Sequence, residues 1–140
     1  MKIKYCGLLN SFTKVVQGED GIFYPLDKDH DERANKFWSE YASTEGLIGV
    51  AAATPSQDFF TKYPKWFEKF ISKEDKSLLD AGCGYGRLSI PLLKKFSNMC
   101  IVGVDASQAM LNKFAEFVNK YNFQDRALLY KGNLSILPIK

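Results

Sequence analysis

Residues 78–87 read L-L-D-A-G-C-G-Y-G-R, and no other stretch constrains the fold as much. Two leucines lead into Asp80, glycines follow at alternate positions 82, 84 and 86, and an amphipathic helical pattern then opens. A strand that passes into a helix through alternating glycines brings bare backbone close to a ligand, because no Cβ intervenes. The free amides of the helix N-terminus then face any anionic group lodged there. The stretch is therefore a nucleotide- or cofactor-binding turn between a strand and a helix.

The spacing narrows the choice of ligand. A dinucleotide fingerprint, G-x-G-x-x-G, counted from Gly82 needs a glycine at position 87, where this chain has Arg87. The pattern D-x-G-x-G-x-G instead resembles the first motif of the class I S-adenosylmethionine-dependent methyltransferases. That resemblance implies a turn of Asp80, Ala81, Gly82, Cys83, Gly84 and Gly86 wrapped around the methionine part of S-adenosyl-L-methionine. Backbone amides would meet its carboxylate, and Asp80 would accept from its α-ammonium group. With no pyrophosphate to hold, the tight helix contact of the dinucleotide folds is not required.

Two further motifs follow in order. Residues 101–105, I-V-G-V-D, form a buried strand that ends in a carboxylate. It lies about 20 residues past the last glycine, where Rossmann-like units place the acid that accepts from a ribose diol. V-G-V-D-A-S resembles the second motif of the same family, carried here by Asp105 and Ala106. Residues 131–138, K-G-N-L-S-I-L-P, resemble its G-D/N-x-x-x-L-P segment, which implies Asn133 at the adenine amine and Leu134 against the ring.

The order βαβαβ, with strands at 78–81, 100–104 and 127–131, predicts an α/β fold with a parallel sheet in the spatial order 3-2-1. The resemblance implies that this is the first half of a Rossmann-like methyltransferase sheet. Leu88, Leu92, Leu93 and Phe96 give the first crossover helix, and Met110, Leu111, Phe114, Phe117, Val118 and Tyr121 the second, with Ser107 as its cap. In the resembled family further strands lie beyond the first one, so that strand is left as an apolar edge. Three explanations are open: a fragment of a longer methyltransferase, which is favoured; completion by a second copy or partner subunit through the exposed edge; or an N-terminal segment returning to cover it. The chain divides at about residue 73 into an N-terminal arm with a helical cap or lid (1–73) and a cofactor-binding half (74–140).

The arm is less legible. Residues 1–28 hold short β-prone pieces separated by turn residues, and either a hairpin or an irregular arm is allowed. Asp29 and Glu32 have the form of a capping box, and Ala34, Phe37, Trp38 and Tyr41 then share one helical face. Thr54, Pro55 and Gln57 start a short helix ending at Pro64, and Trp66, Phe67, Phe70 and Ile71 continue an apolar face in another. The simplest reading of these aromatic stripes is core. A lid is the functional alternative, with Tyr24, Tyr41, Tyr63 or Trp66 reaching a substrate.

Composition excludes several classes. The 140 residues are 46% hydrophobic with a net charge of +3, and the lysines and arginines are scattered, so a nucleic-acid surface is not expected. His30 is the only histidine, which leaves no His/Cys metal cluster. Cys6, Cys83 and Cys100 lack C-x-x-C spacing and argue for three unpaired thiols in a reducing, cytoplasmic compartment. No stretch reaches membrane-spanning length. The expected activity is methyl transfer to a small-molecule acceptor, with no catalytic base assigned. The alternative is a truncated or regulatory cofactor-binding module without turnover that pairs with another chain.

Overall fold

A computed structural model describes residues 15–25, 36, 40, 65–134 and 137. They form a five-stranded sheet with helices between its parallel strands. In chain order these are β1 (Val15–Gln17), β2 (Phe23–Pro25), a 3-10 helix (Lys65–Phe70), β3 (Ser77–Ala81), α1 (Ser89–Lys95), β4 (Cys100–Asp105), α2 (Gln108–Lys120) and β5 (Ala127–Lys131). The sheet order is β1-β2-β5-β4-β3. Its β5-β4-β3 part is the 3-2-1 arrangement expected for the three parallel strands. The sheet gains two strands beyond that expectation. Residues 15–25 form a hairpin, and β2 lies parallel to β5 with Phe23 opposite Tyr130. The hairpin thus occupies the edge opposite β3, and among the described residues β3 pairs only with β4. Of the three explanations for that edge, the described part of the arm does not supply its cover.

The alternation of side chains along each strand builds two apolar faces. Ile101, Ala127 and Leu129 pack with Ile90, Leu92 and Leu93 of α1 and Met110, Leu111, Phe114, Phe117 and Val118 of α2. Val102, Val104, Leu128, Tyr130 and Phe23 form the second cluster. Both crossover helices lie on the first face, as right-handed connections between adjacent parallel strands require.

Phe114 fixes how closely α2 approaches the sheet. A Cβ on Gly86 would lie 2.5 Å from its ring, and one on Gly103 would lie 2.9 Å away. The two glycines form the slot that this fully buried ring fills. The third glycine of the turn therefore makes a tight contact with a helix, but with α2 rather than with α1, the helix that follows it. Ligand chemistry alone did not anticipate this, because the requirement comes from packing.

Arg126 joins the ends of α1 and β4. Its guanidinium donates to the carbonyls of Leu93 (2.9 Å), Phe96 (2.9 Å), Ser97 (3.1 Å) and Met99 (3.3 Å), and it lies 4.7 Å over the Phe123 ring. These carbonyls include ones that a helix end leaves without intrahelical donors.

The aromatic segment before β3 departs from the core reading. The helix Lys65–Phe70 is 3-10 and buries none of its residues; Trp66 is 62% and Phe70 66% exposed. Six residues between Pro64 and a polar stretch are too few to lay an α-helical stripe against the sheet. Instead Trp66, Phe67 and Phe70 pack edge-on against each other, and Lys95 of α1 pairs with Glu68. Ile71 does pack against the core. Lys36 and Glu40 are helical and exposed, within the helix expected after the Asp29 capping box. The rest of that helix, the Thr54 helix, Tyr41, Tyr63 and residues 1–14 lie outside the described residues. No helix among the described residues is long and apolar enough to cross a membrane.

Two glycine substitutions separate conformational from packing requirements. Gly82 has φ +77° and open space where a Cβ would go; Gly86 has φ +82° and the Phe114 ring there. Gly82→Ala is expected to cost about 1–2 kcal/mol from the left-handed backbone alone. Gly86→Ala should cost about 2–4 kcal/mol, since overpacking adds to the strain. Urea denaturation of the two variants checks the difference.

Candidate functional site

The site is assembled at the C-terminal ends of β3 and β4, where open α/β sheets bind ligands. Asp80 lies opposite Gly103 in the parallel register, and Asp105 follows two residues later on the neighbouring strand. The two-residue period puts both carboxylates on the sheet face that carries α1 and α2. The strand pairing then runs on into the turn. The carbonyl of Val104 accepts from the amides of Gly82 (2.8 Å) and Cys83 (3.0 Å), which bends the chain over the end of β4. Gly82, Gly84 and Gly86 all have positive φ, a region that residues with a Cβ rarely adopt.

Asp105 closes the arrangement. Its Oδ2 accepts from the Gly84 amide at 2.8 Å, and its Oδ1 accepts from the Ser107 amide at 2.8 Å. One carboxylate thereby ties the glycine turn to the start of α2. Ser107 Oγ in turn accepts from Met110 N at 3.3 Å, the cap read from the sequence. The Gly132 amide donates to the Asp105 carbonyl at 3.0 Å, so the residues that follow β5 are brought to the same end of the sheet. Asn133 there is half-buried and Leu134 exposed.

The predicted residues do not all stand alike. Asp80, Gly82, Cys83, Gly84 and Asp105 are linked directly through the turn and the strand ends. Ala81 and Gly82 are exposed, Gly84 and Ala106 half-buried, and Cys83 and Gly86 buried. Space is open beside Gly82 and Gly84, where a Cβ would meet nothing within 4 Å, whereas Gly86 is taken up by Phe114. Cys83 is a free thiol facing inward beside Gly103, and burial pushes its pKa well up, as do Asp80 and Asp105. That opposes a nucleophilic role.

Cys100 is disulfide-bonded, which corrects the expectation of three unpaired thiols; its partner lies outside the described residues. Sequence spacing carries no information about which strands and arms meet in space.

Asp80 is the electrostatically costly group. It is 9% exposed, and burial raises its pKa above the ordinary carboxylate value; the nearby Asp105 charge adds to this, while a hydrogen bond from Ser89 opposes it. Ser89 Oγ donates to Asp80 Oδ2 at 2.6 Å. Ser89 has no motif to mark it in the sequence, and its one signal is a lone hydroxyl in the apolar run L-S-I-P-L-L. The Val104 carbonyl and the Phe114 slot were also missed, and neither has a sequence signature of its own.

A separate open groove runs between the β1–β2 hairpin and α2, lined by Asp20, Tyr24, Gln108, Asn112, Glu116 and neighbours. Burial and hydrogen bonding to Asp20 push the Tyr24 phenol up to about 12. No residue of the glycine turn lines this groove.

Parallel strands of which β3 ends in an acid and a glycine turn and β4 in a second acid, with helices between them, define a Rossmann-like cofactor-binding fold. Residues 78–140 match the family model described as "Methyltransferase domain". This stretch is similar to the class I S-adenosylmethionine-dependent methyltransferases, a family whose cofactor is S-adenosyl-L-methionine.

Solved structures share the fold at low identity. Geranyl diphosphate C-methyltransferase from Streptomyces coelicolor A3(2), in complex with Mg2+, geranyl-S-thiolodiphosphate and S-adenosyl-L-homocysteine, aligns with TM-score 0.53 and 18% identity over 76% of this chain and 50% of its own. The [4+2]-cyclase SpnF aligns with TM-score 0.55 and 16% identity over 75% of this chain and 44% of its own. Phosphoethanolamine N-methyltransferase 1 of Haemonchus contortus gives TM-score 0.52 and 14% identity over 73% and 21%. The chain thus spans half or less of the length of these proteins.

The raised pKa of Asp80 has a definite sign. A folded-state carboxyl pKa above the unfolded value means the native state binds the proton more tightly. Asp80 therefore opposes folding at neutral pH, and this cost fades as pH falls through the raised value toward the ordinary one. Asp80→Asn should unfold at a higher temperature than the parent at neutral pH, with the difference shrinking as the solution is acidified. Calorimetric melts of both proteins across that range check the sign.

Proposed function

We propose that this chain holds S-adenosyl-L-methionine at the turn between β3 and α1 and takes part in methyl transfer to a small-molecule acceptor. The observation that carries the reading is the meeting of two carboxylates from adjacent strands at one glycine turn, joined by the bond from the Gly84 amide to Asp105. The donor set suits the cofactor. Oδ1 of Asp80 has no hydrogen-bond partner among the described residues, so it is available to an ammonium group. The open space beside Gly82 and Gly84 lets backbone come within reach of the cofactor's methionine end. Each oxygen of Asp105 accepts one amide and keeps acceptor capacity for a ribose hydroxyl. Ala81, Cys83 and Gly86 shape the turn, and Ala106, Asn133 and Leu134 would border the adenine.

When bound, the cofactor supplies an already activated methyl group. The protein's contribution is then to hold the acceptor in line and to exclude water. A base is needed only for an acceptor that arrives protonated, and no described residue is assigned that part.

A second reading is a cofactor-holding module that pairs with another chain and does not turn over by itself. It draws on β3, which pairs only with β4 among the described residues. The [4+2]-cyclase SpnF, which shares this architecture, is a reminder that the fold alone does not fix a reaction.

Calorimetric titration with S-adenosylhomocysteine and with NADH tests the cofactor reading. Saturable uptake of the first and none of the second is expected, and the reverse pattern would rule it out. Asp105→Ala should weaken S-adenosylhomocysteine binding by about 1–3 kcal/mol, the scale of a lost charged hydrogen-bond partner. An unchanged affinity would remove Asp105 from the site.

A further inference from the structure

Behind the acid of the glycine turn stands a hydroxyl that no motif accounts for. Ser89 is fully buried in the first turn of α1, flanked by buried Ile90 and half-buried Leu88. A hydroxyl in such surroundings is costly unless it is hydrogen-bonded. It does not cap the helix: the N-cap is Leu88, which has helical dihedral angles and makes no side-chain capping bond. The partner of Ser89 is instead Asp80, nine residues earlier, whose Oδ2 accepts at 2.6 Å. The bond spans the whole turn, so it links the end of β3 directly to the helix that the turn introduces. It also fixes one oxygen of Asp80 and leaves the other for a ligand.

We propose that Ser89 is a positioning residue for cofactor capture, holding Asp80 ionised and in one orientation so that Oδ1 can receive an ammonium group beside the glycine turn. The inference rests on the reading of the turn as an S-adenosylmethionine-type site. Hydrogen bonds to a charged acceptor are roughly twice as strong as neutral ones, and a buried carboxylate depends on them to stay charged. The groups that act on Asp80 are few. Burial and Asp105 of β4 favour its neutral form, and Ser89 of α1 favours the charged form. The thiol of Cys83, in the turn itself, is kept protonated by burial and by both carboxylates. Arg87 is exposed, and its charge acts on Tyr85. Ser89 is thus the one described side chain whose hydrogen bond works against the neutralisation of Asp80.

The full chain is titrated with S-adenosylhomocysteine over a range of pH as the parent, Ser89→Ala, Asp80→Asn and the double variant. Ser89→Ala should weaken binding about tenfold near neutral pH. The acid limb of its affinity profile should move to higher pH, because an unsupported carboxyl protonates more readily. In the Asp80→Asn background the same change should leave affinity within about twofold, since neither form of the pair then carries the charge. Carbon-13 NMR of the Asp80 carboxyl in the ligand-free protein gives a readout independent of the cofactor, and its midpoint should rise in Ser89→Ala. Equal losses in both backgrounds, or an unmoved acid limb and midpoint, would overturn the proposal while leaving the cofactor site standing. If the parent takes up no S-adenosylhomocysteine, the cofactor reading fails and this proposal falls with it.

Discussion

The carboxylate of Asp105 is the joint on which the described architecture turns. It stands at the end of β4, and its two oxygens take amide protons from different places, Gly84 in the preceding turn and Ser107 at the head of α2. Backbone amides beyond a strand end lose their sheet partners and must find others. Here one side chain satisfies two of them, and the Val104 carbonyl takes up Gly82 and Cys83. A turn rich in glycine has a high entropic cost of ordering, so it stays shaped only when its surroundings determine it from several sides. The same residue that orders the turn is the one whose type and position suit a ribose. Structure and recognition therefore draw on the two oxygens of a single group.

Packing supplies the other constraint. Phe114 sits in the slot between Gly86 and Gly103, so one ring on α2 explains glycines in two motifs that sequence comparison would attribute to ligand contact. The consequence is a division of labour within D-x-G-x-G-x-G. Gly82 and Gly84 leave room beside the turn, and Gly86 lets the helix layer close on the sheet. Interiors packed at crystal-like density rarely leave such slots adjustable.

Much of this was legible because local pattern and global fold agree. The strands β3, β4 and β5 and both crossover helices carry the hydrophobic period their positions demand. Asp80, the three glycines and Asp105 could be read as one site because the βαβ topology makes consecutive parallel strands neighbours. The hairpin was not assignable, since pieces as short as Val15–Gln17 and Phe23–Pro25 have no periodicity to speak of and owe their pairing to β5. The aromatic segment Lys65–Phe70 misled in the opposite direction. Its residues are apolar at helical spacing, but a short 3-10 helix does not present them to the core. Ser89, and the slot that Phe114 fills beyond its place on the apolar face of α2, were not legible because each depends on a partner remote in sequence, which composition does not display.

The addition of β2 alongside β5 is a contact of long range in sequence. Phe23 finds its place opposite Tyr130, a residue more than a hundred positions later. Contacts of such long range come at a large loop-closure cost and are disfavoured until intervening segments have organised. Residues 15–25 can join the sheet only once β5 is in place to receive them.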